Sequence, residues 1–217
     1  MSLLEEIDLY DNDIAMALPT DLYTLTDLKR LRLGKNSFSG SLSPAISNLS
    51  QLVELELAEC ALTGSLPETF FAITTLERLR ITRNAFTGSV SSGFGRLTNL
   101  QDISISSNRF NRTLPTELGY MTALTNVQVA NQFLSGTIPS ELGNLVGVTR
   151  LALSKNYFTG TIPTSFLRLS SLERLYFQVN ELTGSASFLC DTNVIGPLDS
   201  FRVDLREVNC TCCTCCE

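Results

Sequence analysis

The side chains with which this sequence could do chemistry are carboxylates, arginines and cysteines, because the 217-residue chain contains no histidine. Histidine is the commonest general base in enzymes, so neither a Ser-His-Asp nor a Cys-His arrangement can be formed. The phosphate-binding motifs GxGxxG and GxxxxGKS are also absent from the sequence, which leaves nucleotide binding without support. We therefore expect a protein that is not an enzyme and that needs no cofactor and no metal.

Charged residues recur every 24 residues in the first half of the chain, and their sign alternates at each recurrence. The recurring pairs are Glu6 and Asp8, Arg30 and Arg32, Glu54 and Glu56, and Arg78 and Arg80. If adjacent parallel strands present these residues side by side, carboxylates and guanidinium groups would form a ladder of opposite charges. The facing arginines would then keep the carboxylates ionised. A docking strip for a charged ligand is the alternative, but charges that neutralise one another favour a structural role.

A different set of residues follows after Asp102, where the alternation of charge ends. Its members are Asn126, Gln128, Phe133, Arg150, Tyr157, Arg174, Tyr176 and Gln178. Aromatic side chains, amides and arginines without an acidic neighbour are the composition of binding hot spots. The sequence therefore predicts a ligand-binding surface on the concave face, suited to a carboxylate, sulfate or sugar-containing ligand. Against this, single exposed aromatic residues are common and need no function.

Six of the seven cysteines lie in the last 28 residues, at Cys190, Cys210, Cys212, Cys213, Cys215 and Cys216. Such a cluster predicts a disulfide-stapled cap and an oxidising compartment. A metal-thiolate cluster is the alternative. The seventh cysteine, Cys60, is expected to be an unpaired thiol in the core. Glycosylation sequons at Asn48, Asn111 and Asn209 agree with secretion.

A repeat of 24 residues, without insertion or deletion, positions most of these side chains. Its eight units begin at residues 4, 28, 52, 76, 100, 124, 148 and 172. The first, fourth and sixth places are apolar, and the ninth, thirteenth and sixteenth are mostly asparagine, glycine and proline. This spacing predicts a short strand with one buried face, followed by a bend. Because one unit cannot bury its own apolar residues, the units must stack into a solenoid with parallel strands.

The unit pattern LxxLxLxxNxLxGxIPxxLxxL resembles the plant-type leucine-rich repeat proteins, which occur as receptor-kinase ectodomains and as secreted inhibitors of cell-wall hydrolases. Two segments carry the resemblance best, GTIPSELGNL at Gly136–Leu145 and GTIPTSFLRL at Gly160–Leu169. It implies an α/β repeat solenoid, a right-handed leucine-rich repeat superhelix with a parallel concave sheet and a convex side of 3-10 and irregular turns. The tail VNCTCCTCC, after the isolated Cys190, resembles the C-terminal end of diatom leucine-rich repeat proteins.

Departures from the unit pattern are expected to loosen single turns. They are Met16 and Arg112 at the glycine place, Ser43, Ser91 and Ser187 at the proline place, and Cys60 and Gln132 at the asparagine place. Of these, Cys60 can fill its place as a small buried group, whereas the longer Gln132 predicts a local irregularity.

The predicted domains are the solenoid at residues 1–187 and the cysteine-rich cap at 188–217. The chain enters its first strand within a few residues of Met1, with no signal peptide and no polar capping segment. Since terminal repeats need a cap, we expect a fragment of a longer protein, the alternative being an uncapped cytosolic protein. No apolar run reaches the ~18 residues that a membrane span needs.

The function we expect is extracellular recognition, as a secreted or cell-surface protein. Its partner would be a protein, peptide or glycan, and a net charge of −6 offers no basic footprint for nucleic acid. The leading hypothesis is the ligand-binding ectodomain of a receptor-like or secreted protein. The alternative is a secreted inhibitor of a cell-wall hydrolase, similar to the polygalacturonase inhibitors.

Overall fold

The computed structural model describes residues 3–190, 200–203 and 208–209. In chain order the strands are β1 (Glu6–Asp8), β2 (Arg30–Arg32), β3 (Ser39–Ser41), β4 (Glu54–Glu56), β5 (Ala61–Gly64), β6 (Arg78–Arg80), β7 (Ala85–Ser89), β8 (Asp102–Ser104), β9 (Arg109–Arg112), β10 (Asn126–Gln128), β11 (Phe133–Thr137), β12 (Arg150–Ala152), β13 (Tyr157–Gly160), β14 (Arg174–Tyr176), β15 (Glu181–Leu182), β16 (Gly184–Ser185), β17 (Ser200–Arg202) and β18 (Val208–Asn209). Short 3-10 helices span Thr20–Thr24, Pro44–Asn48, Glu68–Ala72, Ser92–Arg96, Thr116–Tyr120, Ser140–Asn144, Thr164–Arg168 and Ser187–Cys190. Among the described residues, no helix combines the length and apolar character that crossing a bilayer requires.

Two parallel sheets run the length of the solenoid. The concave sheet has the strand order β1-β2-β4-β6-β8-β10-β12-β14-β17, and the flank sheet has the order β15-β13-β11-β9-β7-β5-β3. In the concave sheet equivalent places of successive units face each other, as Leu31 faces Leu55. At a strand spacing of ~4.8 Å, nine strands span ~38 Å. The predicted right-handed leucine-rich repeat solenoid is therefore confirmed.

The concave sheet continues one strand beyond the eight predicted units. Strand β17 pairs with β14 and belongs to the segment that the sequence assigned to the cap. Phe201 and Val203 bury their side chains at the end of the core. They repeat the fourth and sixth apolar places, but the unit is longer by two residues, since Leu198 follows Leu172 by 26 rather than 24. The side chain of Cys190 and the five later cysteines lie outside the described residues, so the disulfide cap stays a prediction.

The core is a continuous stack of apolar side chains, to which every unit contributes the same places. The first, fourth and sixth places are almost completely buried from the second unit onward, as at Leu100, Ile103 and Ile105. Fully burying one such side chain stabilises the fold by roughly 1.5–3 kcal/mol. At the first unit the stack is open to solvent, where Ile7, Leu9 and their neighbours line an apolar depression of about 410 Å³.

A ladder of buried side-chain amides holds the turns in register. The Nδ2 of Asn156 donates to the carbonyls of Leu153 and Val129, both at 3.0 Å, and its Oδ1 accepts from the backbone N–H of Leu134 at 3.2 Å. These bonds satisfy backbone groups that would otherwise be buried without partners. The irregularity predicted at Gln132 is wrong. Its Nε2 donates to the carbonyl of Ile105 and its Oε1 accepts from the N–H of Phe110 at 3.1 Å, so both bonds to the preceding unit are kept.

Cys60 replaces the amide at the third unit with a thiol. Its Sγ lies 3.6 Å from the carbonyl oxygen of Leu33, the same place that Val129 has relative to Asn156. The thiol is free and half-buried rather than fully buried, and burial raises its pKa. A protonated sulfur can act as a weak donor to that carbonyl.

Serine at the proline place does not loosen the turn as expected. Where most units have a proline before the 3-10 helix, Ser43 Oγ accepts from the N–H of Ala45 at 3.2 Å and Ser91 Oγ accepts from that of Gly93 at 3.0 Å. A hydrogen-bonded cap thus replaces the fixed backbone angle of proline.

Arg112 should be the weakest point of the flank sheet. It has φ 68° at the place where other units have glycine, and a side chain is strained in this left-handed region. We expect Arg112→Gly to raise the free energy of unfolding by up to about 1 kcal/mol, measured by urea denaturation.

The matched change Gly136→Ala should act in the opposite direction. At Gly136, with φ 75°, an added Cβ would lie 2.8 Å from Thr113 Cγ2. If both substitutions lower stability, the left-handed conformation is not what limits the thirteenth place.

Candidate ligand-binding surface

Glu54 is the centre of the charged half of the concave sheet. It is only 4% exposed, and Arg32 holds it with two parallel bonds, Nε to Oε1 at 2.9 Å and Nη2 to Oε2 at 3.0 Å. From the opposite strand, Arg78 Nη2 lies 3.0 Å from Oε2. The hydrogen bonds from Arg32 are the main reason that the pKa of Glu54 is lowered. A buried carboxylate with two guanidinium partners stays ionised.

The remaining charges of this half also form ion pairs. They are Arg30 with Glu6 at 2.6 Å, Arg32 with Asp8 at 3.3 Å, Arg80 with Asp102 at 2.7 Å, Lys35 with Asp11 at 3.6 Å, and Arg83 with Glu59 at 3.0 Å. Two of the contacts are diagonal, because Arg32 and Arg80 reach the third place of the next unit instead of the fifth. The predicted ladder is therefore a network with cross-links between its columns.

Glu56 is the exception to the expected ladder. Arg32 and Arg80 face it from the two neighbouring strands, yet among the described ion pairs both arginines bind other carboxylates. Glu56 is 8% exposed and its Oε1 accepts from the N–H of Ala58 at 2.8 Å. Burial raises its pKa. The expectation that facing arginines keep every carboxylate of the ladder strongly ionised is wrong here, because desolvation outweighs attraction to guanidinium groups bound elsewhere.

Asn126 and Gln128, both predicted to bind ligand, have internal partners. Asp102 accepts hydrogen bonds from Arg80, from Ser104 at 3.0 Å and from Asn126 at 2.7 Å. The Nε2 of Gln128 in turn donates to Asn126 Oδ1 at 3.3 Å. These amides continue the charge network for one more unit, so they are less available to a ligand than the sequence suggested.

The next strands carry a cluster that we call the arginine patch, formed by Arg150, Arg174, Tyr176, Gln178 and Arg202. In the sheet register Arg150 faces Arg174, and Tyr176 faces Arg202. The guanidinium carbon of Arg150 lies 5.5 Å from the ring centroid of Tyr176, within cation–π distance. None of the carboxylates in the described residues forms an ion pair with these arginines.

Two polar atoms of the arginine patch are buried and lack partners among the described residues, Arg150 Nε and Gln178 Oε1. One is a donor and the other an acceptor, and leaving such groups unpaired is unfavourable. Arg202 was missing from the predicted site because the cysteine-rich segment was not expected to form a strand. The apolar pattern of Leu198, Phe201 and Val203 is the signal that would have found it.

Phe133 and Tyr157 do not lie on the concave sheet, which corrects their predicted location. They are the first residues of the flank strands β11 and β13. Their rings are 52% and 49% exposed, nearly parallel at 11°, with centroids 6.4 Å apart. They line a depression of about 520 Å³ above the amide ladder, which we call the rim groove; its outer residues are Ser107, Arg109, Asn131, Phe133, Lys155, Tyr157 and Val179.

Two predicted glycosylation sites are accessible. Asn48 ends a 3-10 helix on the convex side and Asn111 lies on flank strand β9, and both side chains are exposed. The side chain of Asn209 lies outside the described residues. Glycosylation therefore stays a prediction at all three positions.

Residues 27–49 and 99–121 match the Leucine Rich Repeat family model. The ectodomain of the plant membrane receptor kinase GASSHO1/SCHENGEN3 from Arabidopsis thaliana, in complex with CASPARIAN STRIP INTEGRITY FACTOR 2, is 31% identical, with a TM-score of 0.87 over 95% of this chain and 24% of that one. The Arabidopsis receptor kinase HAESA, in complex with the peptide hormone IDA and the co-receptor SERK1, is 30% identical, with a TM-score of 0.86 over 92% of this chain and 33% of that one. No curated protein sequence matches the chain significantly.

A plant ice-binding protein has the same fold, with 24% identity and a TM-score of 0.78 over 95% of this chain and 65% of that one. The chain is thus a leucine-rich repeat solenoid whose structural neighbours include plant receptor-kinase ectodomains. It spans about a quarter of the first receptor and a third of the second. Since the neighbours bind unrelated partners, the fold does not determine the ligand.

The two buried glutamates should respond oppositely to loss of their charge. We expect Glu56→Gln to raise the free energy of unfolding at pH 7, because it removes a desolvated charge while leaving an acceptor for Ala58. The pKa of Glu56 is higher in the folded than in the unfolded chain. Its favourable contribution is therefore present below the unfolded pKa and is lost as the pH rises through the folded one.

Glu54→Gln should instead lower stability at pH 7, by roughly 1–3 kcal/mol, since two guanidinium groups lose a charged acceptor. The lowered pKa of Glu54 means that its contribution is present above the unfolded pKa and is lost as the pH falls through the folded one. Urea unfolding of both variants at pH 4 and pH 7 measures this. Glu59→Gln, in an exposed pair, is the control and should change stability by less than about 1 kcal/mol. Equal losses for Glu54→Gln and Glu56→Gln would contradict the assignment.

Proposed function

We propose that this chain is an extracellular recognition module without catalytic activity, and that its arginine patch binds an anionic group of a peptide ligand. The observation that carries the proposal is the set Arg150, Arg174 and Arg202 on three adjacent strands. Ion pairs satisfy the arginines of the first four units, whereas these three have no carboxylate partner among the described residues. Adjacent like charges repel each other, so the arrangement is unfavourable until an anion binds.

The chemistry of the arginine patch favours a carboxylate or sulfate. Guanidinium groups bind such anions through paired N–H donors, and Tyr176 offers a ring surface beside them. Arg150 Nε needs an acceptor and Gln178 Oε1 needs a donor. A peptide satisfies both requirements, because a backbone amide provides a donor near its carboxylates. The structural neighbours support this choice, since HAESA is bound to a peptide hormone.

The neighbours also support an extracellular location, because they are receptor ectodomains. The sequons and the cysteine-rich tail agree with it. A membrane receptor and a secreted protein could each present this module to a ligand. The alternative, an inhibitor of a cell-wall hydrolase, finds no support in these structural relatives.

The proposal predicts that anion recognition depends on the arginine patch and not on the paired arginines. We would probe the protein with an array of random 12-residue peptides carrying either a free or an amidated C terminus. Arg174→Ala combined with Arg202→Ala should weaken binding of the selected acidic peptides at least tenfold, or about 1.4 kcal/mol. The melting temperature should not fall, because two unpaired, exposed cations are removed.

Arg30→Ala is the matched control, since Arg30 is similarly exposed but paired with Glu6. It should leave peptide binding unchanged. If Arg30→Ala abolishes binding and the double variant does not, the charged half of the concave sheet is the site and the proposal is wrong.

A further inference from the structure

The rim groove has features that neither the fold nor the arginine patch explains. Its aromatic pair, Phe133 and Tyr157, stands at the tenth place of two consecutive units. Earlier units have Ser37, Ala61 and Ala85 at that place, so the solenoid does not require large side chains there. Both rings are about half exposed, and an exposed aromatic surface is typical of a protein contact.

Val179 adds an apolar group to the same groove in an unfavourable conformation. Its φ is 62°, and it is 56% exposed. The eighth place is left-handed in all eight units, but the other seven have charged or polar residues there. A β-branched side chain is the least suited to this conformation. Strain of this kind together with exposure points to a role outside the folded chain itself.

The charge of the rim groove is positive. Arg109 and Lys155 line it, and no carboxylate is among its described lining residues. Neither cation forms an ion pair with a described residue. In the charged half, by contrast, the eighth place supplies the paired residues Asp11, Lys35, Glu59 and Arg83.

We propose that the rim groove is a second docking site, for an extended acidic segment of a partner protein. An aromatic or branched apolar side chain of that segment packs against Phe133, Tyr157 and Val179, while flanking carboxylates lie beside Arg109 and Lys155. Charge complementarity selects the acidic partner, and the aromatic surface anchors it. The rim groove and the arginine patch share no residue, so this site does not depend on the proposed function.

The test uses the whole chain and a fluorescent nonapeptide in which a phenylalanine and an isoleucine are flanked by aspartates, with both termini blocked. Its counterpart has asparagine in place of every aspartate. Fluorescence anisotropy should show that the aspartate peptide binds at least tenfold more tightly than the asparagine peptide. Phe133→Ala and Lys155→Glu should each weaken binding of the aspartate peptide at least tenfold. Arg174→Ala should have no effect, and a loss in that variant would place the peptide on the arginine patch and overturn the proposal.

Val179→Asn separates a functional from a structural role. Asparagine tolerates the left-handed conformation, so this variant should have a higher melting temperature than the parent and yet bind the aspartate peptide several-fold more weakly. Ser107→Asn, at the equivalent place, is the control and should not change binding. Unchanged binding by Val179→Asn and Lys155→Glu would overturn the proposal. So would equal affinity for the two peptides, or tighter binding of the neutral sugar cellohexaose than of either peptide.

Discussion

The hydrogen bonds of the ninth-place amides are the constraint on which the rest of this molecule depends. Each amide bonds the bend of its own unit and the carbonyl and N–H groups of the unit before it, as Asn108 does with Ile105, Ile81 and Phe86. A shift of one residue between turns would break all of these bonds at once. The register that they fix makes equivalent places neighbours across the concave sheet, and so decides which side chains can interact.

Because the register is fixed, the same scaffold carries two surfaces of opposite character. In the first four units neighbouring places have opposite charges, and the side chains satisfy one another around Glu54. In the last units the neighbours are arginine beside arginine and tyrosine beside arginine. The backbone is equivalent in both halves, so the difference lies only in the residues at the third and fifth places. Internal pairing stabilises one half and leaves the other available for a partner.

The 24-residue period was sufficient to predict the solenoid, the parallel sheet and the faces of its residues, because apolar spacing and bend residues are local properties. It was not sufficient for contacts between long side chains. Arg32 could reach Glu54 or Glu56, and only the packing of Glu56 against the backbone decides between them. Phe133 and Tyr157 were placed on the wrong sheet since the chain has already turned at the tenth place. Strand β17 was missed because two additional residues interrupt the period.

The alternation of charge also restricts how this solenoid can lengthen or shorten by recombination. Removing or duplicating a single 24-residue unit preserves every apolar place and every amide bond wherever it occurs. Within the charged half, however, the pattern of sign repeats only every two units, so such an event would bring acidic strand against acidic strand or basic against basic. That half can change length only in pairs of units, whereas the later half accepts units one at a time. The two halves therefore differ in the steps by which they can evolve, although they share one fold.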